Sequence, residues 1–527
     1  MQASNVSPTP YDEVLYPPAV YPETHPDRLA TVGTLRGMDP APLISCRLLE
    51  LGCGNGENLI PLAFSFPDSE FVGLDSARHP VALGAASIAE LGLTNIQLHP
   101  VDLCDAAVER FGSFHYIIAH GLYSWVPAPT RERILALCRQ LLTPHGIAYI
   151  SYNAYPGNHL HDLARGIIRF HTTRCEDPSE KVQRARAILK FLAESRLAPH
   201  PYVIALGFEF ARAVERQDAV FFHDDLSDTN QAFYFHEFIS AARRHNLQFL
   251  GEAGSDDLHV ENFTPDALTK LDELEKEGEL IREQYKDFLL GRAFRRTLLC
   301  RSEVDLAPVF LPERTSMLHA SCDAKSVDQS ETGEPVKALF RRPNGAELET
   351  NHGLVTASFR HLCSEWPCPV AFNIVLDRAG REAAGETGRP GSEDQTALLA
   401  DAWIKGYQNG FLQLHVTPPR VVNKVSVSPE CSALVRLQLR KSSVATSQLH
   451  RRVRLDDPLS REVAQLLDGS RDEDAITQII LESVKTGQAE LRQNSEVVTD
   501  PDRVAAALKL QIREVLAALA REGLLIG

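Results

Sequence analysis

The stretch "LLELGCGNGENLIPLA", residues 48 to 63, constrains the fold more than any other part of the chain. An apolar run gives way to three alternating glycines, Gly52, Gly54 and Gly56, and then to a helical pattern. Glycine admits positive φ and lets a ligand approach the backbone closely, so the stretch reads as strand, bare turn and helix. The alternation continues downstream. "EFVGLD", "IQLHPVD", "FHYIIAHG" and "GIAYISYNA" read as strands, with "HPVALGAASIAELGL" and "RERILALCRQLL" as helices between them. Apolar strands separated by helices predict a parallel sheet covered on both faces, an α/β fold of Rossmann-like type.

After "SYNAYPGNH" the strands stop, and residues 160–222 read as a helical insertion. The later strands "LQFLGEA" and "FRRTLLCR" are expected to complete the first sheet. Between them "DALTKLDELEKEGELIREQYKDFL" reads as one charged, solvated helical stretch. The expected layout is an N-terminal arm over the cofactor site (1–40), an α/β domain (41–301) and a polar linker (302–335). An accessory α+β module (336–420) and a winged-helix-like module (421–527) follow. Within the accessory module "RAGREAAGETGRPGSED" reads as a mobile loop.

Composition narrows the partners. The chain carries 70 acidic and 54 basic residues in 527, a formal net charge of −16. No basic recognition helix stands out, so nucleic-acid binding is not expected. The N-terminus lacks a basic region followed by an apolar core, and no apolar run is long enough to span a bilayer; a cytoplasmic location without membrane insertion is expected. Ten cysteines without a CxxC pair read as reduced thiols, and no metal site is expected.

The glycine turn alone is weak evidence of a ligand. Two carboxylates strengthen it. Asp75, followed by Ser76, ends the second strand, where an acidic side chain can take both ribose hydroxyls. Asp102, beside Leu103, follows the third strand, where a carboxylate can accept an adenine amino group. The pattern G-x-G-x-G is flanked by Glu50 and Glu57, which would repel a pyrophosphate but suit the ammonium of S-adenosylmethionine.

With those residues in view, the stretch resembles motif I of the class I methyltransferases. The resemblance implies that Glu50, Gly52, Cys53 and Gly54 surround the methionine part of S-adenosylmethionine, Asp75 the ribose, and Asp102 with Leu103 the adenine. Asn58, Ser76, His120 and the arm residue His25 complete the expected cofactor set. "YPETHPDRLA", "AHGLYSWVP", "SYNAYPGNH", "FFHDDLSDTNQAFYFHEFISAARRHNLQFLGEA" and "GRAFRRTLLCR" add to the resemblance. Together they look like a bacterial methyltransferase family with a regulatory domain, which includes rickettsial protein lysine methyltransferases. A protein lysine acceptor is what that resemblance implies. Self-association through the helical insertion is expected from its apolar "IIRF" and "AILKFLA" faces, and the resembling enzymes carry a dimerisation region. A small-molecule N- or O-methyltransferase and a noncatalytic S-adenosylmethionine-binding scaffold remain open as alternatives at this point.

A lysine acceptor makes chemical demands. Its amine must lose a proton before it attacks, which at pH 7 costs roughly 4–5 kcal/mol from a reference pKa of about 10.4. Burial and the cofactor's sulfonium charge both lower that pKa. The site then needs aromatic walls, uncharged acceptors at the nitrogen and carboxylates farther out. Tyr123 and Trp125 after strand four are the expected walls, and Tyr152 and Asn153 after strand five the expected catalytic acceptors. His223, Asp224, Asp225 and Asp228 form the expected substrate rim.

Overall fold

The computed structural model describes residues 9–195, 200–254, 263–327, 338–384, 392–485, 492–493, 496–497 and 501–527. The chain divides into two compact units, residues 1–19 with 38–306 and residues 20–37 with 307–527. The expected N-terminal arm is therefore split. Its first helix, α1 (Pro10–Glu13), belongs to the first unit, and its second, α2 (Pro26–Leu35), to the second.

The first unit is built on a seven-stranded sheet. Its strands are β1 (Arg47–Leu51), β2 (Glu70–Asp75), β3 (Ile96–Pro100), β4 (Phe114–Ala119), β5 (Leu142–Asn153), β6 (Leu247–Glu252) and β7 (Phe294–Arg301). The order is β3-β2-β1-β4-β5-β7-β6. The first five run parallel, and β7 runs antiparallel between β5 and β6. Central strands such as β1 and β4 are buried almost throughout, as strands covered on both faces must be. The order reverses at β1, so the crevice beyond its carboxyl end faces both halves of the sheet.

Helices α3 (Ile60–Ser65), α4 (Arg78–Leu91) and α5 (Ala128–Leu141) connect the parallel strands. Gly92, at φ 66°, ends α4 in the left-handed conformation that glycine adopts without a Cβ clash. After β5 come α6 (Asn158–Thr172), α7 (Pro178–Glu194), α8 (Pro201–Glu215) and α9 (Asp218–Asp225), which share a small apolar core around Ile168, Leu189 and Phe221. Helix α10 (Phe235–Arg244) returns the chain to the sheet, where Phe238 and Ile239 enter the main core. The charged stretch expected as one helix is two, α11 (Pro265–Glu275) and α12 (Glu279–Leu290), divided at Gly278 with φ 142°.

The second unit begins earlier than expected. The polar segment 302–335 holds β8 (His319–Ser321) and β9 (Lys325–Val327), both paired in sheets; residues 328–337 lie outside the described ones. Strands β10 (Ala338–Arg341), β11 (Glu347–Thr350), β12 (Val370–Ala371) and β13 (Gln413–His415) join them. Helices α13 (Gly353–Glu365), α14 (Phe372–Ala384) and α15 (Glu393–Gln408) pack around Phe359, Phe372 and Trp403. The segment expected as a mobile loop is helical on both flanks, in α14 and α15; residues 385–391 between them lie outside the described ones. The terminal module carries α16 (Ala433–Lys441), hairpin β14 (Val444–Thr446) and β15 (Arg452–Arg454), α17 (Pro458–Leu466), α18 (Glu473–Lys485) and α19 (Pro501–Arg521), a winged-helix arrangement. No helix among the described residues is long and apolar enough to cross a membrane.

Candidate active site

The glycine turn takes its shape from positive φ at Gly52 (75°), Gly54 (53°) and Gly56 (72°). The amides of Gly52 and Cys53 donate to Leu74 O at 2.8 and 3.2 Å, which ties the turn to the end of β2. The Gly54 amide donates to Asp75 Oδ2 and the Ala77 amide to Asp75 Oδ1, each at 2.8 Å. The carboxylate is thus held from both sides, and each oxygen keeps a further lone-pair direction for a ligand hydroxyl. Desolvation raises the Asp75 pKa, with the backbone donors acting against it. A Cβ built on Gly54 would meet nothing within 4 Å, so the turn fronts open space.

Glu50, at the buried end of β1, accepts from Asn58 Nδ2 at 2.8 Å through Oε1. Its Oε2 is buried without a partner among the described residues. Desolvation pushes its pKa up to about 8, so the carboxyl is mostly protonated at neutral pH. An unsatisfied buried oxygen beside a bare turn is what an ammonium group would complete, and the residues present fit the amino-acid end of S-adenosylmethionine. Cys53 is buried beside it, its thiol pKa raised by desolvation. Beyond β3, Asp102 is exposed and accepts from the Cys104 amide at 2.8 Å through Oδ1, while Leu103 is buried. Ser76 is half-buried next to Asp75.

After β4, His120 Nδ1 lies 2.8 Å from the Tyr149 hydroxyl. Desolvation lowers its pKa to about 3, so its ring is neutral at physiological pH. Tyr123 and Tyr152 do not stand as exposed walls or acceptors in the structure. Both are buried in the main core, where Tyr152 stacks on Phe238 at 4.1 Å and its hydroxyl lies 3.2 Å from Thr297 Oγ1. Tyr123 meets Phe238 and Phe233 edge-on. Strand alternation explains the miss: at the end of β5, Tyr152 and Asn153 point to opposite faces. Trp125 is half-buried, and its Nε1 is buried without a partner among the described residues.

Asn153 stands at the carboxyl end of β5. Its amide donates to Ser124 Oγ at 2.8 Å, and its side-chain Nδ2 to Asn230 Oδ1 at 2.7 Å. The segment carrying Asn230 lies along the strand end, with Gln231 N donating to Ser124 O and Phe233 N to Asn153 O, both at 2.9 Å. Arg131 secures it, giving Nη2 to Gln231 Oε1 at 2.8 Å.

The expected substrate rim comes apart. Asp225 is buried in the helical insertion, 2.5 Å from Arg216 Nη1 and 3.5 Å from His161 Nδ1. Asp228 is fully exposed and paired at 3.3 Å with Arg169. His223 stacks on Tyr11 of α1, ring centroids 4.1 Å apart, and lies with Nε2 2.6 Å from Val14 O, an anchor for the arm. Asp224 alone keeps a loosely held carboxylate, with Tyr16 Oη at 3.5 Å and Arg216 Nη1 at 3.9 Å. Burial raises its pKa to about 6, so it is charged at neutral pH. His25 lies in the second unit, where Nδ1 accepts from the Asp27 amide and the ring packs edge-on against His450. That role caps α2.

Tyr11 and Asn230 escaped sequence reading. Tyr11 lies in a proline-rich arm without periodicity, and Asn230 in a polar loop with turn chemistry. Among the described residues no group of three His, Cys, Asp or Glu could hold a metal ion.

A parallel sheet closed by an antiparallel strand, with a glycine turn after β1 and carboxylates after β2 and β3, defines a class I methyltransferase. Family models match as "Methyltransferase domain" at 49–148, "Predicted methyltransferase regulatory domain" at 217–301 and "PKMT, C-terminal winged helix domain" at 428–524. An uncharacterized protein of Rickettsia prowazekii (strain Madrid E) is 28% identical over 95% of this chain and 90% of its own length. A second from that strain is 34% identical over 46% of this chain and 96% of its own. The structure of PKMT2 from Rickettsia typhi in complex with AdoHcy matches with a TM-score of 0.86 at 26% identity, covering 97% of this chain and 100% of that one. The chain belongs to the bacterial family of S-adenosylmethionine-dependent class I methyltransferases that carry a methyltransferase regulatory domain.

Proposed function

We propose that the protein transfers a methyl group from S-adenosylmethionine to the side-chain amine of lysine in a protein substrate. The observation that carries this reading is the uncharged side chain of Asn153 at the carboxyl end of β5, held in one orientation with Oδ1 left without a partner among the described residues. Similarity to PKMT2 over the whole chain, winged-helix module included, supports a macromolecular acceptor over a small one.

S-adenosylmethionine, when bound, supplies a methyl group on a sulfonium. The protein's own residues do the rest. Glu50 offers its orphaned oxygen to the cofactor ammonium, and Asp75 its remaining lone pairs to the ribose. Asp224 supplies negative charge toward an incoming lysine without a tight partner to give up. Asn153 Oδ1 accepts from the neutral amine, fixing the nitrogen so that its lone pair faces the methyl carbon. Methyl transfer is an in-line displacement, so alignment and exclusion of water carry most of the catalysis. His120, neutral, adds no like charge beside the sulfonium.

The test uses methyl-tritiated S-adenosylmethionine and lysate of the source organism. Label in a protein band that yields methyllysine on acid hydrolysis is the expected result. Label confined to small molecules, or no transfer, overturns the reading. Asn153→Ala should slow transfer by about 10²-fold, equivalent to about 2.7 kcal/mol, with cofactor affinity unchanged.

A further inference from the structure

Asn153 reads as useful to an amine only if its oxygen, not its NH2, faces the acceptor. The two ends of an amide have almost the same shape, so something must fix the choice. The fixed point is a backbone carbonyl, which cannot turn round. Asn230 Nδ2 lies 2.7 Å from Asp224 O, and a carbonyl oxygen can only accept. Asn230 must present its NH2 there, so its Oδ1 faces the other way. That oxygen lies 2.7 Å from Asn153 Nδ2, and it too can only accept. Asn153 must therefore offer its NH2 to Asn230, and its Oδ1 is left pointing away, with no partner among the described residues. The polarity set at Asp224 O is handed through two amides to the strand end.

We infer that Asn230 is a positioning residue of the transfer reaction: by its hydrogen bonds to Asp224 O and Asn153 it turns the Asn153 oxygen toward the acceptor amine. The inference rests on the acceptor site read above. Asn230 lies in the stretch 217–301 that matches the regulatory domain, so that domain contributes directly to the reacting geometry. An Asn153 free to flip would spend part of its time offering NH2 to an amine, donor against donor. The preference lost is that of one neutral hydrogen bond, about tenfold in rate.

The experiment compares Asn230→Ala, Asn153→Ala and the double variant with the wild type, using methyl-tritiated S-adenosylmethionine and dialysed lysate as acceptor. Cofactor affinity is measured in parallel by calorimetry. Asn230→Ala should lower the rate at saturating cofactor about tenfold while the apparent KM and calorimetric Kd for S-adenosylmethionine stay unchanged. Adding Asn230→Ala to Asn153→Ala should cost nothing further, because no Asn153 oxygen is left to orient. Wild-type rate in Asn230→Ala, or a full further loss of about tenfold in the double variant, overturns the inference while a slow Asn153→Ala leaves the acceptor site standing. Wild-type rate in Asn153→Ala overturns the acceptor site and this inference with it. If Asn230→Ala fails to fold, as a lost calorimetric signal would show, Asn230→Ser, too short to reach Asn153, takes its place with the same expectation.

Discussion

Tyr11 and His223 lie face to face, their ring centroids 4.1 Å apart and their planes 4° from parallel. One residue belongs to the four-residue helix α1, the other to α9 at the far side of the helical insertion. At the other edge of α1, Asp12 Oδ1 accepts from the His79 amide at 2.9 Å, in the first turn of α4. Helix α1 is thus held from two sides. Both Asp224 and Asp75 hold back ionisation of the Tyr11 phenol after desolvation does, so that phenol sits within electrostatic reach of the two carboxylates.

A cover fastened in this way should slow cofactor escape. Tyr11→Ala loses the stack and leaves the Asp75 side open. We expect S-adenosylmethionine affinity to fall about tenfold, about 1.4 kcal/mol, mostly through faster dissociation. Tyr11→Phe keeps the stack and should stay close to the wild type. Stopped-flow dissociation from each variant decides it; an unchanged off-rate in Tyr11→Ala would mean that α1 does not cover the cofactor.

Glu50 links cofactor binding to a proton. Burial, with Asn58 acting against it, sets its pKa to about 8 in the unliganded protein, so at pH 7 it carries a proton. An ammonium group beside Oε2 favours the carboxylate and expels that proton. Calorimetry at pH 7 in buffers of different ionisation enthalpy should find about one proton released per cofactor bound, and none in Glu50→Gln. The sign for stability runs the other way from an ordinary salt-bridged carboxylate. The folded-state pKa is raised, so the unliganded fold holds an advantage below the unfolded value of 4.5 that is lost as pH rises through about 8. At pH 9, unliganded Glu50→Gln should therefore be more stable than the wild type, by on the order of a few kcal/mol in denaturant titrations.

Asp75→Ala removes the acceptor that Gly54 N and Ala77 N hold in place. Two ribose hydroxyls lose a charged partner, and affinity for S-adenosylmethionine should drop by about 2–3 kcal/mol. Undiminished affinity in a folded variant would remove the ribose from this side of the turn.

The sheet was legible because each element repeats its signal. "RLLELGC" to "GIAYISYNA" gave all five parallel strands, and "LQFLGEA" with "FRRTLLCR" the closing pair, since apolar runs bounded by turns have few other uses. Backbone-defined parts of the site were legible too: Gly54 and Asp75 are dictated by positive φ and by the strand end. Side-chain direction was not. Tyr152 and Asn153 are neighbours with opposite fates, because a strand turns alternate residues to opposite faces and the sequence does not say which face holds the core. Asp224 and Asp225 repeat the lesson on a helix, where successive residues point about 100° apart; Asp225 met Arg216 and His161, and Asp224 the arm. Partners distant in sequence, such as Tyr11 for His223 and Asn230 for Asn153, leave no local trace at all.

The helical insertion carries the last prediction. Its helices bury Ile168, Leu189 and Phe221 among themselves, yet leave Phe170, Phe191 and Phe208 largely exposed, at 86%, 64% and 69%. Three phenylalanines on α6, α7 and α8 forgo about 1.5–3 kcal/mol each while they face water. Exposed aromatics in this number on one helical subdomain mark an interaction surface, and a second copy of the chain is the occupant expected from the sequence. Sedimentation at about 10 µM, where interfaces of micromolar affinity are populated, should show a dimer. Replacing Phe170 and Phe208 together by Glu should raise its dissociation constant about a hundredfold or more, because interface energy concentrates in a few aromatic anchors. Unfolding of the sheet domain should be unchanged, since neither ring belongs to its core. A wild-type monomer at that concentration, or a dimer indifferent to both substitutions, would assign the exposed rings to some other partner.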